Sequence, residues 1–300
     1  MNTRNAVLTA VSIIGLVLVG TYYFRTPPVV APAPIAPIVL ATIVYRCGDD
    51  IDVQATYQES TQDSSPVEGV PPMPKGSVML RIGDRVDTLT LNQTISADGG
   101  RYATPDDGIV FWNKGRGALF TNGGEVQVRC IEIPKDTGGL PEYYASTTLG
   151  YVLRYPTGFA LDAHAPSRVI GTGREISSIQ LTIPTSVSAG TNLSQDSAMN
   201  MESVDAEVCD ATIFLEGSTS ILIEDADVQY SFASSTGAGA GNRYAEWVYA
   251  FPGTSPCLAL RYFIHSTVWE NYPEGSVSQF DQEALLKQFD SIRKSVVIVP

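Results

Sequence analysis

The chain has 300 residues, of which 44% are hydrophobic and 17% charged, a composition typical of globular proteins and unlike that of a disordered chain. Its formal net charge of −13 disfavours a nucleic-acid role, because phosphate binding needs a basic surface. The length allows two ordinary domains, and the acidic balance suits either a basic protein partner or simple solubility.

The first predicted element is a membrane anchor. Residues 6–24 form an apolar run without a charge, between Arg4 and Arg25, and a helix of about 19 such residues can cross a bilayer. A cleavable secretory signal is the competing interpretation, but its apolar region is normally about 7 to 15 residues and ends at small residues. This run ends in Tyr22, Tyr23 and Phe24. The sequence therefore favours an uncleaved anchor over residues 1–25, and either interpretation exports the rest to the periplasm or cell surface.

A proline-rich linker is predicted over residues 26–40, because residues 26–37 read TPPVVAPAPIAP and such segments are extended. A first domain follows over residues 41–133. Its strand-like segments recur at short spacing without a helical period, which predicts a small antiparallel barrel or sandwich. Residues 59–76 are polar and proline-rich, and they are predicted to form an insertion. The strand candidates are Ile51–Tyr57, Val78–Ile82, Val86–Leu91, Ile109–Trp112, Ala118–Thr121 and Glu125–Ile131.

Four cysteines lie in the exported part, an even number that matches disulfide use in an oxidising compartment. Three pairings are possible. Residues an even number of positions apart in a strand face the same side. Cys47 is so spaced from Ile51, Val53 and Ala55, and Cys130 from Val126 and Val128. Both cysteines are therefore predicted to face inward and to pair. Such a bond would contribute roughly 4 kcal/mol in the chain-entropy model. Cys209 and Cys257 then form a local disulfide, and free buried thiols are the alternative.

Two short motifs lie between Cys47 and Cys130. Residues 96–102 read SADGGRY, and residues 111–115 read FWNKG. They resemble the S-x-S-G-x-[RK]-Y and [FY]-W-x-K-G signature of the membrane-bound or periplasmic inhibitors of c-type lysozyme, the MliC/PliC family. The resemblance implies a small β-barrel in the bacterial cell envelope that binds a basic c-type lysozyme. The sequence has no C-x-x-C motif and no paired histidines, so no metal site is expected, and no cofactor is expected either. The resemblance also implies a lysozyme-binding set of Lys114, Ser96, Asp98, Gly99, Arg101 and Tyr102.

The family resemblance also assigns roles, and one position departs from it. In the family, a serine of the first loop and the lysine of the second enter the lysozyme cleft and bond to its two catalytic carboxyl groups. The lysine corresponds to Lys114, but Asp98 stands where the family has the inserting serine. A carboxylate there is repelled by the target's carboxylates, unless it accepts a hydrogen bond from the protonated glutamic acid. Ser96 could instead replace the missing serine after a loop shift.

The remaining motif residues are expected to support the loops. Gly99 and Gly100 permit a tight loop, and Arg101 and Tyr102 brace it. Trp112 is expected to be core support rather than a contact. Residues 104–107 lengthen the connection between the motifs relative to compact family members, and this lengthening is expected to reposition Lys114.

Residues 134–142 contain two prolines and a glycine pair and are predicted to link the first domain to a second, over residues 143–300. The second domain is predicted to be α+β, with an antiparallel sheet and a closing amphipathic helix over residues 278–296, so the whole chain is mainly β. Residues 149–159, LGYVLRYPTGF, are loosely similar to the first strands of PsbP-like domains. The strand candidates are Tyr151–Tyr155, Ile179–Ile183, Thr212–Leu215, Tyr244–Phe251 and Leu258–His265.

Enzyme functions are disfavoured by the motifs. The chain has two histidines, His164 and His265, and neither a G-x-S-x-G nor an H-E-x-x-H motif. Residues 237–241, GAGAG, precede a strand-like segment rather than a helix, so they are interpreted as a hairpin loop and not a phosphate site. Two hypotheses remain: an exported inhibitor of c-type lysozyme, or a surface-anchored binding or adhesive module that keeps the inhibitor fold without inhibition.

Overall fold

A computed structural model describes residues 36–48, 50–59, 76–123, 126–136, 138–167 and 176–299. The chain from Ile38 to Pro300 forms one compact unit, which is mainly β. The predicted anchor, residues 26–35 of the predicted linker and residues 60–75 of the predicted insertion lie outside the described residues. Within the described ranges, no helix has the length and apolar character needed to span a membrane.

Eight antiparallel strands form a closed barrel, in which each strand pairs with the next and the last pairs with the first. Alternating inward residues such as Val53, Ala55 and Tyr57 fill the interior, where Tyr45 packs edge-on against Phe111. The strands are β1 (Val39–Cys47), β2 (Ile51–Gln58), β3 (Ser77–Ile82), β4 (Thr88–Thr94), β5 (Gly100–Ala103), β6 (Ile109–Lys114), β7 (Gly117–Asn122) and β8 (Val126–Glu132).

A disulfide between Cys47 and Cys130 lies at the barrel's closing seam, where these two residues are partners in the β1–β8 ladder. Both cysteines are buried, as predicted. The prediction that Ile51 faces inward together with Cys47 was wrong. A turn at Gly48 separates β1 from β2, and Ile51 is exposed at the start of β2. The predicted linker also ran too far, because β1 already begins at Val39.

The rest of the chain forms two further antiparallel sheets. The smaller has the strand order β18–β10–β9, and the larger β11–β12–β13–β17–β16–β15–β14. Their strands are β9 (Glu142–Ser146), β10 (Tyr151–Tyr155), β11 (Ala160–Asp162), β12 (Ser177–Thr182), β13 (Ala198–Val204), β14 (Ile221–Asp225), β15 (Val228–Gly239), β16 (Asn242–Ala250), β17 (Cys257–Thr267) and β18 (Val297–Ile298).

Two α-helices are present in the described residues, α1 (Thr185–Ser188) and α2 (Gln282–Lys294). Helix α2 buries Leu285, Phe289 and Ile292 in the core of the two sheets. It is shorter than the predicted helix over residues 278–296, because the side chain of Asp281 caps its first turn. At its other end, the Ser295 hydroxyl bonds to the backbone of Arg154 in β10.

Two strand predictions need correction. The segment Thr212–Leu215 is not a strand, because the Asp210 side chain accepts a bond from the Thr212 N–H and caps a short 3-10 helix, Ala211–Ile213. Val86 lies before β4 with 94% of its surface exposed. The GAGAG segment is a hairpin, as interpreted, but its loop contains only Ala240 and Gly241, because β15 extends to Gly239.

The disulfide between Cys209 and Cys257 lies in this second part, in a small core of its own. The barrel contacts this part through a polar cluster, in which Arg46 donates to Asp52 at 2.7 Å and to the Tyr143 hydroxyl at 2.5 Å. That hydroxyl donates to Asp52 at 2.6 Å. The division into domains at residues 134–142 stays a prediction, as does the PsbP-like similarity.

Candidate functional site

The two motifs meet at one end of the barrel because β5 pairs with β6. The ladder pairs Gly100 with Asn113 and Arg101 with Trp112. The loop before β5, residues 95–99, therefore lies beside the β6–β7 hairpin, which turns between Lys114 and Gly117. We call these two segments the tip. The pairing brings Asp98 and Lys114 together although 15 residues separate them in the chain.

Gly99 is required by the close approach of the two tip segments. Its φ is +65°, and a Cβ atom on it would lie 2.2 Å from the carbonyl oxygen of Asn113. A Cβ on Gly100 would lie 2.7 Å from Oδ1 of Asn113. Larger residues at these positions would push the loop away from β6, so the glycine pair fixes where Asp98 is presented.

Trp112 was expected to be core support, and this was wrong. Its side chain points outward and the residue is 39% exposed. The indole Nε1 donates to the carbonyl oxygen of Asp98 at 2.8 Å. Trp112 therefore fixes the backbone of the first loop from the neighbouring strand. The alternation along β6 could have indicated this, because the preceding residue, Phe111, is fully buried.

The hydroxyl of Ser96 is used inside its own loop. It donates to the carbonyl oxygen of Asp98 at 2.5 Å and accepts from the Asp98 N–H at 3.3 Å. These bonds are typical of a serine that stabilises a turn. Ser96 therefore supports the loop conformation in which Asp98 is the side chain presented at the tip.

An ion pair joins the two central residues of the tip. Nζ of Lys114 lies 2.6 Å from Oδ2 of Asp98, and the side chains are 71% and 57% exposed. The hydrogen bond and charge of Lys114 lower the pKa of Asp98, and those of Asp98 raise the pKa of Lys114. Both groups are therefore charged near neutral pH, and the tip carries an ammonium and a carboxylate in contact.

Arg101 and Tyr102 lie in β5, below the tip. Arg101 donates to the Thr94 hydroxyl at 2.8 Å and to Oδ1 of Asp107 at 2.9 Å. Tyr102 is buried in the barrel, where its ring packs on Tyr57. Neither side chain lies beside the Lys114–Asp98 pair in these contacts.

The longer connection at residues 104–107 lies away from Lys114. It closes the β5–β6 hairpin at the end where Ala103 pairs with Val110, whereas Lys114 follows Asn113 at the other end. Asp106 accepts from the Thr104 hydroxyl and the Gly108 N–H, and Asp107 has a φ of +56°. These residues form a turn, and the expected repositioning of Lys114 is not supported by this geometry.

An apolar cleft of about 240 Å³ adjoins the tip on the outer wall of the barrel. Trp112 and Lys114 line it together with Leu119, Arg129 and Val299. Val299 reaches this wall because Arg129 donates to its carbonyl oxygen at 2.6 Å. Sequence patterns gave no sign of this cleft, because it depends on a contact between residues 170 apart in the chain.

The tip lies within a segment that matches a known family. Residues 70–129 match the family model described as membrane-bound lysozyme-inhibitor of c-type lysozyme, which confirms the resemblance stated from the two motifs. Among solved structures, the chain is similar to the apo structure of immunity protein TplEi of T6SS from Pseudomonas aeruginosa. The identity is 9%, the match covers 85% of this chain and 97% of that one, and the TM-score is 0.29, too low to support an argument. No curated protein matches the chain.

Proposed function

We propose that this chain is an exported, membrane-anchored inhibitor of a c-type lysozyme, and that its tip occludes the lysozyme cleft. The observation that carries the proposal is the match of residues 70–129 to a lysozyme-inhibitor family, because that segment contains both tip loops. The chain then acts by blocking another protein's active site and is not itself an enzyme.

The chemistry of the target explains how a lysine can block it. A c-type lysozyme uses a protonated glutamic acid and an ionised aspartate in its cleft. Lys114 presents an ammonium on a two-residue turn, and its side chain is mostly exposed. A charged hydrogen bond to the target's aspartate would be strong inside a cleft from which the inhibitor excludes water.

Charge and export support the same partner. The net charge of −13 would attract a basic lysozyme and speed their encounter. Two disulfides suit an oxidising compartment, where lysozyme acts on the cell wall. The apolar run at residues 6–24 would hold the inhibitor at the membrane, on the outer side.

The test is a titration of the full-length chain into a c-type lysozyme acting on a suspension of bacterial cell walls. We expect lysis to slow as the chain is added and to recover with Lys114→Ala. The matched control is Lys287→Ala, which removes an exposed lysine on α2, outside the segment that matches the inhibitor family. Full lysozyme activity at micromolar chain would contradict the proposal.

A surface-anchored binding module without inhibition is the second candidate, and one observation favours it. Lys114 already has a carboxylate partner within the chain, so the target's aspartate must compete with Asp98. In that case the full-length chain would leave lysis unchanged, and a ligand would be recovered by residues 143–300 rather than by the tip.

A further inference from the structure

The serine of the family signature is replaced by Asp98 in this chain, and the structure shows what the replacement produces. Asp98 does not stand alone at the tip, because it contacts Lys114 at 2.6 Å. We infer that Asp98 determines specificity: the Asp98–Lys114 pair enters the target cleft as one unit and selects a site holding one protonated and one ionised carboxyl group. This inference rests on the proposed function.

The structure holds Asp98 in place from three directions. Trp112 donates to its carbonyl oxygen, and the Ser96 hydroxyl bonds to both its carbonyl oxygen and its N–H. On the other side, Gly99 lies so close to the Asn113 carbonyl that no Cβ atom fits between them. These contacts fix the backbone of Asp98 at the tip, and the contact with Lys114 holds its carboxylate there.

Ser96 does not provide a substitute for the missing serine. Its hydroxyl hydrogen is donated within the loop, at 2.5 Å to the Asp98 carbonyl oxygen. A shift that freed this hydroxyl would remove the bonds that define the loop. Of the two positions that the family signature places in the cleft, the tip therefore offers the Asp98 carboxylate and the Lys114 ammonium, with the exposed Arg116 in the adjoining turn.

The two groups retain bonding capacity for a partner. An ammonium has three donors, and Asp98 occupies one of those of Lys114. A carboxylate accepts about four hydrogen bonds, and Asp98 accepts from Lys114 and from the Gly99 N–H. The pair can thus accept an O–H from a protonated acid and donate to an ionised carboxylate at the same time.

This arrangement matches one protonation state of the target. A retaining glycosidase holds its two carboxyl groups about 5 to 5.5 Å apart, and the acid of lysozyme stays protonated up to a pH of about 6. When that acid ionises, the complex brings three carboxylates around one ammonium, which is unfavourable. Binding therefore requires the target acid to keep its proton.

The sign of the pH dependence follows from this requirement. Below a pH of about 6 the target acid is protonated and the affinity is constant, whereas above it Kd rises by up to about tenfold per pH unit. Within the chain, Lys114 is the charged side chain that lowers the pKa of Asp98, and Asp98 raises that of Lys114. The pair itself therefore stays charged from pH 5 to pH 8.

The experiment compares the native full-length chain with Asp98→Asn, binding a c-type lysozyme between pH 5 and pH 8 by titration calorimetry. An amide can donate to the ionised acid, so the variant loses the requirement for the proton. We expect Kd to rise by about tenfold per pH unit above pH 6 for the native chain and to change much less for Asp98→Asn. All other titrating groups are common to both proteins and cancel in the comparison.

A second measurement, the number of protons taken up on binding, would not change if Asp98 had only a structural role. Calorimetry at pH 7 in two buffers of different ionisation enthalpy should show uptake of nearly one proton per complex for the native chain and almost none for Asp98→Asn. The control is Asp205→Asn, which removes one exposed carboxylate far along the chain and should behave as the native protein does. Thermal unfolding checks that each variant is folded.

The outcomes separate the two proposals. Binding of all three proteins with parallel pH profiles and equal proton uptake would overturn the specificity inference and leave the proposed inhibition standing. Absence of binding by the native chain at every pH would overturn both. A steep profile for the native chain that becomes shallow only in Asp98→Asn supports the inference.

Discussion

The molecule contains two ion pairs of the same chemistry in opposite surroundings. In the larger sheet, Arg261 of β17 pairs with Glu202 of β13, and the two side chains are 1% and 0% exposed. At the tip, Lys114 pairs with Asp98, and both side chains are mostly exposed. The two regions show how burial decides what an ion pair can do.

The buried pair is enclosed by further partners. Nε and Nη2 of Arg261 both donate to Oε2 of Glu202 at 3.1 Å, and other donors of the guanidinium reach Glu246 and the carbonyl oxygen of Phe214. Neither charge can leave without leaving the other desolvated. The exposed pair is different, because water already solvates both groups and a partner's polar groups can replace that water at little cost. The buried pair suits stability, and the exposed pair suits recognition.

The largest expected effect breaks the buried pair. Glu202→Leu should lower the free energy of unfolding by about 3 kcal/mol or more, because it leaves the Arg261 guanidinium buried with one carboxylate, that of Glu246. Chemical denaturation of the full-length chain, followed by tryptophan fluorescence, measures this loss.

The control for this prediction replaces both partners. Glu202→Leu combined with Arg261→Met removes the buried charges together, and it should recover part of the lost stability. If the double variant were no more stable than Glu202→Leu alone, the loss would not come from a buried charge left without its partner, and the comparison with the tip would fail.

The next effect concerns the glycines of the tip, which offer a matched pair of variants. Gly99 and Gly115 both have positive φ, +65° and +56°, but a Cβ would meet the Asn113 carbonyl only at Gly99. Gly115→Ala should therefore cost about 1 kcal/mol for its backbone conformation, and Gly99→Ala roughly twice that, with weaker binding of lysozyme. Denaturation and the cell-wall assay measure the two effects, and equal losses in the two variants would contradict the close approach described for Gly99.

Much of the barrel could be predicted from the sequence because its strands alternate. Val53, Ala55 and Tyr57 point inward in one regular series, and the parity of the cysteines places them inward as well. In the second part, β13 was missed because all seven of its side chains are buried, so no alternation is visible. β15 was missed because its second half, ASSTGAG, has the composition of a loop.

The site was predicted in its residues but not in their contacts. The motifs identified Asp98 and Lys114, yet their ion pair depends on the β5–β6 register, which places Gly100 opposite Asn113. The role of Trp112 was missed for a related reason, since its bond to Asp98 crosses between the two segments. A family motif identifies the residues of the tip, whereas the register of the paired strands determines which of them are in contact.

The carboxylate of Asp210 is intermediate in exposure between those of the buried Glu202 and the exposed Asp98. Its hydrogen bonds predict that the stability of the fold depends on pH. Burial opposes the ionisation of Asp210, but bonds from the Thr212 hydroxyl and N–H and from the hydroxyls of Ser231 and Ser220 outweigh it and lower its pKa to about 2. Because the folded pKa lies below the unfolded value, this stabilisation is present above pH 4 and is lost as the pH falls toward 2.

The ionised form of Asp210 is expected to contribute at most about 2 kcal/mol to the free energy of unfolding, and solvent screening reduces this contribution. Asp210→Asn should flatten the dependence of unfolding free energy on pH between 4 and 2, as measured by urea denaturation at several pH values. Asp205→Asn, at an exposed position, controls for the loss of one charge. If Asp210→Asn kept the native slope in this range, the hydrogen bonds around Asp210 would not be stabilising its ionised form.

The smallest expected effect is on the stability of the tip itself. Asp98→Asn and Lys114→Ala should leave the midpoint of thermal unfolding unchanged within error, because an ion pair that is exposed on both sides contributes little to folding. Differential scanning calorimetry of the full-length variants measures this. A fall in Tm as large as that of Asp210→Asn would mean that the pair holds the barrel together, and its charges would then not be available to a partner. An unchanged Tm together with altered lysozyme binding would separate recognition from stability at these two residues, in contrast to Arg261 and Glu202, where the charges serve the fold.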